Sequence, residues 1–239
     1  SPYMFRACFN DSFQGKVVAN YVLQNLQLTK AAVMIDQGSD YSKGLSANFK
    51  KAFIVGGGEV VAEEKYQQKD TEFGGQLTKI KDSGAQVLFV PGYPPELPLI
   101  IKQAGTMGLD IQLCGADGWD KDAVLQESGD NIIGSIIVGA FAKEDARDAV
   151  QNFIKSMGDS AGSFEALGYD SVSMLAAAMQ TGTDAGSIKT GLSSIKDFEG
   201  VTGKITVLPN GDAEKSAVIL SIEKDGDKYV KRYKATINP

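Results

Sequence analysis

The sequence predicts an α/β fold with a mostly parallel, doubly wound sheet covered by helices on both faces. Strands of about five residues alternate with helices of ten or more, and this rhythm holds from about residue 16 to about residue 139. Ala31–Ile35 is a continuous apolar run, as in strands buried on both faces. A length of 239 residues with 43% hydrophobic residues supports a substantial core in one large or two small domains.

Apolar periodicity places the elements of this first part in order. The predicted strands are Ala31–Ile35, Glu59–Ala62, Gln86–Val90, Ile111–Cys114 and Ile132–Val138. The predicted helices are Lys16–Gln27, Tyr41–Ile54, Phe73–Ile80 and Pro95–Met107. The glycines at 56–58 interrupt the chain between the second helix and the second strand.

The pattern changes after residue 140. Helices are predicted at Asp145–Met157, Phe164–Met179 and Ala185–Ile195, with little strand between them. Strands then follow at Val201–Val207, Ala217–Ile222 and Tyr229–Tyr233, and Pro209–Asp212 is a strong turn signal. A helical insert followed by late strands predicts that the chain leaves one lobe and crosses to another.

Composition excludes several functions. The net charge is −6 without a Lys/Arg block, which argues against nucleic acid or an anionic membrane as the main partner. No apolar run reaches the roughly 18–20 residues that span a bilayer. The absence of histidine rules out the usual Ser-His-Asp triad and disfavours an enzyme, and no cofactor or metal ligand set is predicted. Cys8 and Cys114 are either a disulfide or two buried apolar residues.

Three loops follow predicted strands and should open onto one crevice, because ligands bind at the carboxyl ends of parallel strands. They are residues 36–42 with Tyr41, residues 91–96 with Tyr93, and residues 115–119 with Asp117 and Trp119. A carboxylate for an ammonium group and tyrosines as apolar walls suit a small zwitterion. The alternative is that such an Asp caps the next helix, a role open to Asp120. Asp40 fits a cap better than a ligand contact.

Five segments resemble, in order, motifs of the Leu/Ile/Val-binding proteins of ABC importers. They are Phe5–Gly15, Asp40–Leu45, Pro91–Glu96, Gly115–Trp119 and Ala166–Val172. The resemblance implies a type I periplasmic-binding fold, in which two Rossmann-like lobes joined by three crossovers close over a ligand. It divides the chain into four parts: residues 1–10 end the first lobe, 11–140 form the second lobe, 141–215 complete the first lobe, and 216–239 return to the second.

The function implied is that of the extracytoplasmic solute-binding component of an ABC importer, which delivers a branched-chain or other small neutral amino acid to a membrane permease. An amino-acid-sensing ectodomain of a receptor or regulatory protein is the alternative. By the same resemblance Asp117 binds the ligand ammonium, Tyr41 and Tyr93 line the wall, and Phe164 packs near the ligand side chain. Trp119 is a further candidate. Pro94 stands where the family often has a second aromatic residue.

The resemblance also implies a longer N-terminal region ahead of Phe5, which carries the carboxylate contacts of the ligand. We therefore expect apolar faces of the helices at 145–197 to be exposed, and this chain to pair with a separate N-terminal fragment, to swap with a second copy or to rearrange. We also expect it to bind leucine-like ligands weakly by itself. No signal segment is recognised, so a periplasmic form and a lipid-anchored form both stay open.

Overall fold

A computed structural model describes residues 3–239, which fall into two compact units. One unit comprises residues 3–10, 139–218 and 233–239, and the other comprises residues 11–138 and 219–232. We call them the discontinuous unit and the sheet unit. The lobe boundaries implied by the resemblance concern a whole binding protein and stay a prediction.

The sheet unit alternates strand and helix along most of its length. Its elements are α1 (Asp11–Gln24), β1 (Lys30–Asp36), α2 (Asp40–Val55), β2 (Glu59–Tyr66), α3 (Gly74–Asp82), β3 (Val87–Phe89), α4 (Glu96–Thr106), β4 (Gln112–Gly115), α5 (Asp122–Ser128) and β5 (Ile136–Gly139). The start of α2 shows why one such element begins where it does. The Ser39 side chain accepts a hydrogen bond from the Ser42 N–H, which satisfies a donor that the first helical turn leaves free.

The sheet confirms the predicted fold class. Strands β1 to β5 pair in parallel, in the order β5-β4-β3-β1-β2. Two later strands, β9 (Ala217–Asp225) and β10 (Lys228–Ile237), extend it to seven strands beyond β5. The residues of β1 from Ala31 to Asp36 are all buried, as expected for a strand covered on both faces. The parallel strands bring the loops after β1, β3 and β4 to one edge.

The sequence placed most of these elements within a few residues, with three differences. Helix α1 begins at Asp11, five residues before the predicted start. Helix α5 was not predicted, and Lys121 rather than Asp120 precedes its first turn. The predicted strand Ile132–Val138 begins only at Ile136, because the residues before it form a short 3₁₀ helix and a turn.

The discontinuous unit contains three helices followed by a small antiparallel sheet. Its elements are α6 (Asp148–Met157), α7 (Ser163–Ala178), α8 (Ala185–Ser193), β6 (Phe198–Gly200), β7 (Gly203–Val207) and β8 (Ala213–Lys215). The predicted strand Val201–Val207 is wrong in its first residues. The chain turns there, and Gly203 takes a φ of +102°, so β6 and β7 form a hairpin. The predicted turn at Pro209–Asp212 joins β7 to β8.

Helix α7 is apolar on opposite sides. One side packs inside the discontinuous unit through Ala166, Met174 and Ala178. The other side is exposed through Phe164, Tyr169, Val172 and Leu175, and Met179 follows directly after the helix; each of these is at least 40% exposed. The exposed apolar face expected of the helices at 145–197 is therefore found on α7.

Candidate functional site

The candidate site lies in the sheet unit, at the edge where β1, β3 and β4 end. Tyr41 stands in the first turn of α2, Tyr93 in the loop after β3, and Asp117 at the start of a 3₁₀ turn, Asp117–Trp119, that follows β4. The structure brings these three predicted residues together, because parallel strands present their carboxyl ends on the same edge.

The Asp117 carboxylate is held by hydrogen bonds from its neighbours. The Tyr41 hydroxyl donates to Asp117 Oδ1 at 2.7 Å. The same hydroxyl oxygen accepts a hydrogen bond from the Gly118 N–H at 3.0 Å. Tyr41 therefore binds both the carboxylate and the backbone of the turn that carries it. Among the described residues, no lysine or arginine forms an ion pair with Asp117.

Two further residues fix the turn, and the sequence reasoning missed one of them, Gln14. The buried Gln14 side chain of α1 accepts a hydrogen bond from the Asp117 N–H at 2.7 Å through its Oε1. The two residues are 103 positions apart in the sequence. Gly118 leaves no room for a side chain, since a Cβ there would lie 2.6 Å from the Gly92 carbonyl oxygen and 3.0 Å from Tyr41 Oη. Only the flanking glycine offered a sequence signal, and nothing in the sequence marked Gln14.

The aromatic wall consists of two stacked tyrosines. The rings of Tyr41 and Tyr93 have centroids 4.5 Å apart and an interplanar angle of 28°. Tyr93 is 40% exposed and forms the open side of the pair. The Lys121 ammonium lies 5.2 Å from the Tyr93 ring centroid, within cation–π range. Lys121 was also not predicted as part of the site.

Trp119 is in the same turn but faces inward. Its side chain is fully buried, and its indole N–H donates to the Val90 carbonyl at 2.7 Å. A Cβ on Gly115 would lie within 2.4 Å of three indole atoms, so the ring packs flat on the end of β4. Trp119 supports the turn from below, and in this structure it offers no surface to a ligand.

The remaining predicted site residue belongs to the discontinuous unit. Phe164 is the second residue of α7, and its side chain is 45% exposed. Its contact with a ligand stays a prediction that rests on the resemblance.

The electrostatics of the site favour a positive ligand. Burial raises the pKa of Asp117, and the hydrogen bond from Tyr41 opposes that rise only in part. Burial and the neighbouring Asp117 charge raise the pKa of Tyr41 well above its ordinary value, so its phenol stays protonated and available as a donor. A raised aspartate pKa means that the charge of the ionised form is under-compensated, so a cation placed beside it would stabilise that form.

Within residues 3–239, no group of three His, Cys, Asp or Glu side chains is placed to hold a metal ion. Cys8 and Cys114 are not joined in a disulfide, and Cys114 is buried. None of the helices in that part of the chain is both long and apolar enough to cross a bilayer. The site is therefore a partly buried carboxylate beside an aromatic wall.

Comparison with known proteins gives concordant matches. A family model described as a periplasmic binding protein matches residues 1–227. A Leu/Ile/Val-binding protein homolog of Brucella melitensis is 30% identical over 215 residues, which cover 87% of this chain and 58% of the relative.

Two solved structures share the fold over nearly the whole chain. A leucine binding protein of Thermotoga maritima has a TM-score of 0.90 and 28% identity, with 98% of this chain and 68% of that chain covered. The second is a branched-chain amino acid substrate binding protein of Streptococcus pneumoniae in complex with isoleucine. It has a TM-score of 0.86 and 31% identity, and the match covers 100% of this chain and 68% of that chain. The chain thus spans less than two thirds of the length of the Brucella relative.

Proposed function

The chain belongs to the periplasmic binding protein family, and from this premise we propose that it captures a branched-chain or other small neutral amino acid for an ABC importer. The relatives reported above are binding proteins, and the family implies an extracytoplasmic location. The proposed partner is the membrane permease of the importer. The receptor ectodomain considered from the sequence gains no support from these relatives.

The observation that carries the proposal is the state of Asp117. Its carboxylate is partly buried, accepts from the Tyr41 hydroxyl and has a raised pKa. A cation that reaches it forms a charge-assisted hydrogen bond in a partly desolvated place, where such bonds are strong. The α-ammonium of an amino acid has the required charge and size.

The aromatic pair supports an apolar ligand body next to that ammonium. Tyr93 presents its half-exposed ring, and Tyr41 stacks behind it with its hydroxyl already engaged by Asp117. A stacked pair buries aliphatic surface without requiring further polar partners. A leucine, isoleucine or valine side chain therefore matches this wall better than a charged one does.

The test compares the contributions of the ligand's amine and of its carboxylate to binding. The chain as given is titrated with leucine, with isoamylamine, which is leucine without its carboxylate, and with isocaproate, which is leucine without its amine. Nuclear magnetic resonance spectra of the amides near 117–119 detect binding even at millimolar affinity. We expect leucine and isoamylamine to shift these signals in a saturable way and isocaproate to leave them unchanged.

Aromatic acids provide the opposing outcome. A benzoate ligand would bring a second negative charge to Asp117, which the partly buried site disfavours. Saturable binding of benzoate without binding of leucine would overturn the proposal. If isocaproate binds with the same affinity as leucine, the proposed contact between the ligand ammonium and Asp117 is wrong.

A further inference from the structure

The turn that presents Asp117 ends at a second carboxylate that the proposed function does not use. The Asp120 N–H donates to the Asp117 carbonyl at 2.9 Å and closes the turn. The Asp120 side chain is 1% exposed. Its Oδ1 accepts a hydrogen bond from Lys231 Nζ, and its Oδ2 has no partner within residues 3–239. This buried carboxylate therefore depends on one cation.

Lys231 reaches Asp120 from a distant part of the sequence. It lies on β10, 111 residues after Asp120, and its side chain is 24% exposed. The same ammonium is 4.0 Å from Asp122, whose side chain is 92% exposed. An exposed pair of that kind contributes little, whereas a buried carboxylate that loses its cation is strongly destabilised. The contact that matters for Lys231 is thus the one with Asp120.

We infer that Lys231 is a positioning residue of the ligand site, because it holds Asp120 inside the sheet unit and so fixes the turn that presents Asp117. The inference rests on the proposed function for its effect on binding. Without the ammonium, neither Asp120 oxygen has a partner, and water becomes the better environment for the carboxylate. As Asp120 moves outward, it takes the preceding three residues with it.

The chain contains its own reporter of this turn. Trp119 is the only tryptophan in the sequence, is fully buried, and immediately precedes Asp120. Its emission therefore reports whether the turn keeps its position. In Lys231→Met we expect the Trp119 emission to move to longer wavelength and to become accessible to acrylamide. We expect the affinity for isoamylamine to fall about tenfold, since the receiving carboxylate is displaced.

Matched variants separate positioning from general stability. Lys231→Arg keeps a cation on Asp120 and should keep both signals. Lys231→Met combined with Asp120→Asn removes both charges, so most of the emission and affinity should return. Lys224→Met provides the control, since Lys224 pairs at 2.7 Å with Asp130 on the surface of the same unit. A structural role alone would lower the unfolding temperature without changing the emission of the folded state.

Two outcomes overturn the inference. One is a Lys231→Met chain whose emission, quenching and affinity equal those of the unaltered chain. The other is a double variant that is no better than the single one. If the unaltered chain binds neither leucine nor isoamylamine, the proposed function fails, while the emission and quenching comparison still decides the position of the turn.

Discussion

Asp117 and Asp170 are both aspartates of segments that resemble family motifs, and the protein satisfies their charges in opposite ways. Asp170, on α7, is 1% exposed and accepts hydrogen bonds from the Val201 N–H at 2.7 Å, the Thr202 N–H at 2.8 Å and the Thr202 hydroxyl at 2.6 Å. Lys215 donates in turn to that hydroxyl. The donors of the discontinuous unit therefore surround Asp170.

Asp117 also accepts hydrogen bonds, but burial outweighs them, and the residue is only partly buried. Tyr41 is its hydroxyl donor, no cation pairs with it among the described residues, and burial raises its pKa. The comparison shows that a buried aspartate is structural when internal groups compensate its charge and is available to a ligand when they do not. Four changes test this contrast.

Replacing Asp170, whose carboxylate is fully hydrogen-bonded, should lower the stability of the fold the most. Asp170→Asn places an amide NH₂ where one oxygen now accepts hydrogen bonds from Thr202, so donor faces donor. We expect the free energy of unfolding to fall by about 3 kcal/mol, as for other broken buried networks. Urea titration measures it. Asp159→Asn, on an exposed turn of the same unit, should change it little. A loss as small as that of the control would contradict a structural role for Asp170.

Replacing Asp117, whose charge is under-compensated, should have the opposite effect on stability. Asp117→Asn should raise the free energy of unfolding of the ligand-free chain by about 1 kcal/mol, because an under-compensated buried charge is removed. The affinity for isoamylamine should fall by at least about 30-fold. Asp40→Asn is the control, since the Asp40 side chain is 99% exposed beside Tyr41. A less stable Asp117→Asn chain would show that Asp117 is structural too.

Tyr41→Phe tests the single hydroxyl on Asp117. It keeps the stacked ring, removes one hydrogen bond and should weaken isoamylamine binding about fivefold. The sign of the pH effect follows from the raised pKa of Asp117. Binding needs the ionised form, so affinity is lost as the pH falls through that pKa, and the loss begins at a higher pH than for an ordinary aspartate.

In Tyr41→Phe the pKa of Asp117 should rise further, because the lowering hydrogen bond is gone. The loss of affinity should therefore begin at a still higher pH than in the unaltered chain. Calorimetric titrations across the acidic range measure both chains. Coinciding pH profiles would show that the Tyr41 hydroxyl does not support the ionised carboxylate.

The sequence predicted the sheet unit better than the discontinuous unit for a physical reason. Parallel strands such as β1 are continuous buried apolar runs between turn signals, so local patterns define them. The hairpin of β6 and β7 depends on Asp170, which binds the turn at Val201 and Thr202 from 31 and 32 residues away. No local pattern contains that contact, so the break in the predicted strand was missed.

The candidate site shows the same limit. Tyr41, Tyr93 and Asp117 follow strands whose order could be inferred, so their loops could be brought to one edge. Gln14 and Lys231 reach the turn from distant elements, and their side chains carry no periodic signal. The inward orientation of Trp119 depends on the bare backbone of Gly115 and on the Val90 carbonyl, and both belong to tertiary packing.

Lys215 gives the smallest and most specific test of the contrast. Burial lowers its pKa to about 8, against the opposing charge of Asp170. The folded chain therefore releases this proton before the unfolded chain does, so stability rises as the pH increases through that value. The rise between about pH 7 and about pH 9 should be about 1 kcal/mol. Urea titrations at the two pH values measure it.

Other groups titrate in the same range, so the comparison is made with Lys215→Met. That chain should lose the Lys215 contribution and keep the rest. Lys204→Met, whose pair with Glu199 is exposed on both sides, should keep the whole rise. If Lys215→Met shows the full rise, the pKa of Lys215 is not lowered in the folded chain, because the charge of Asp170 outweighs the effect of burial. The contrast with Asp117 would then lie in a buried cation that fully compensates the Asp170 charge.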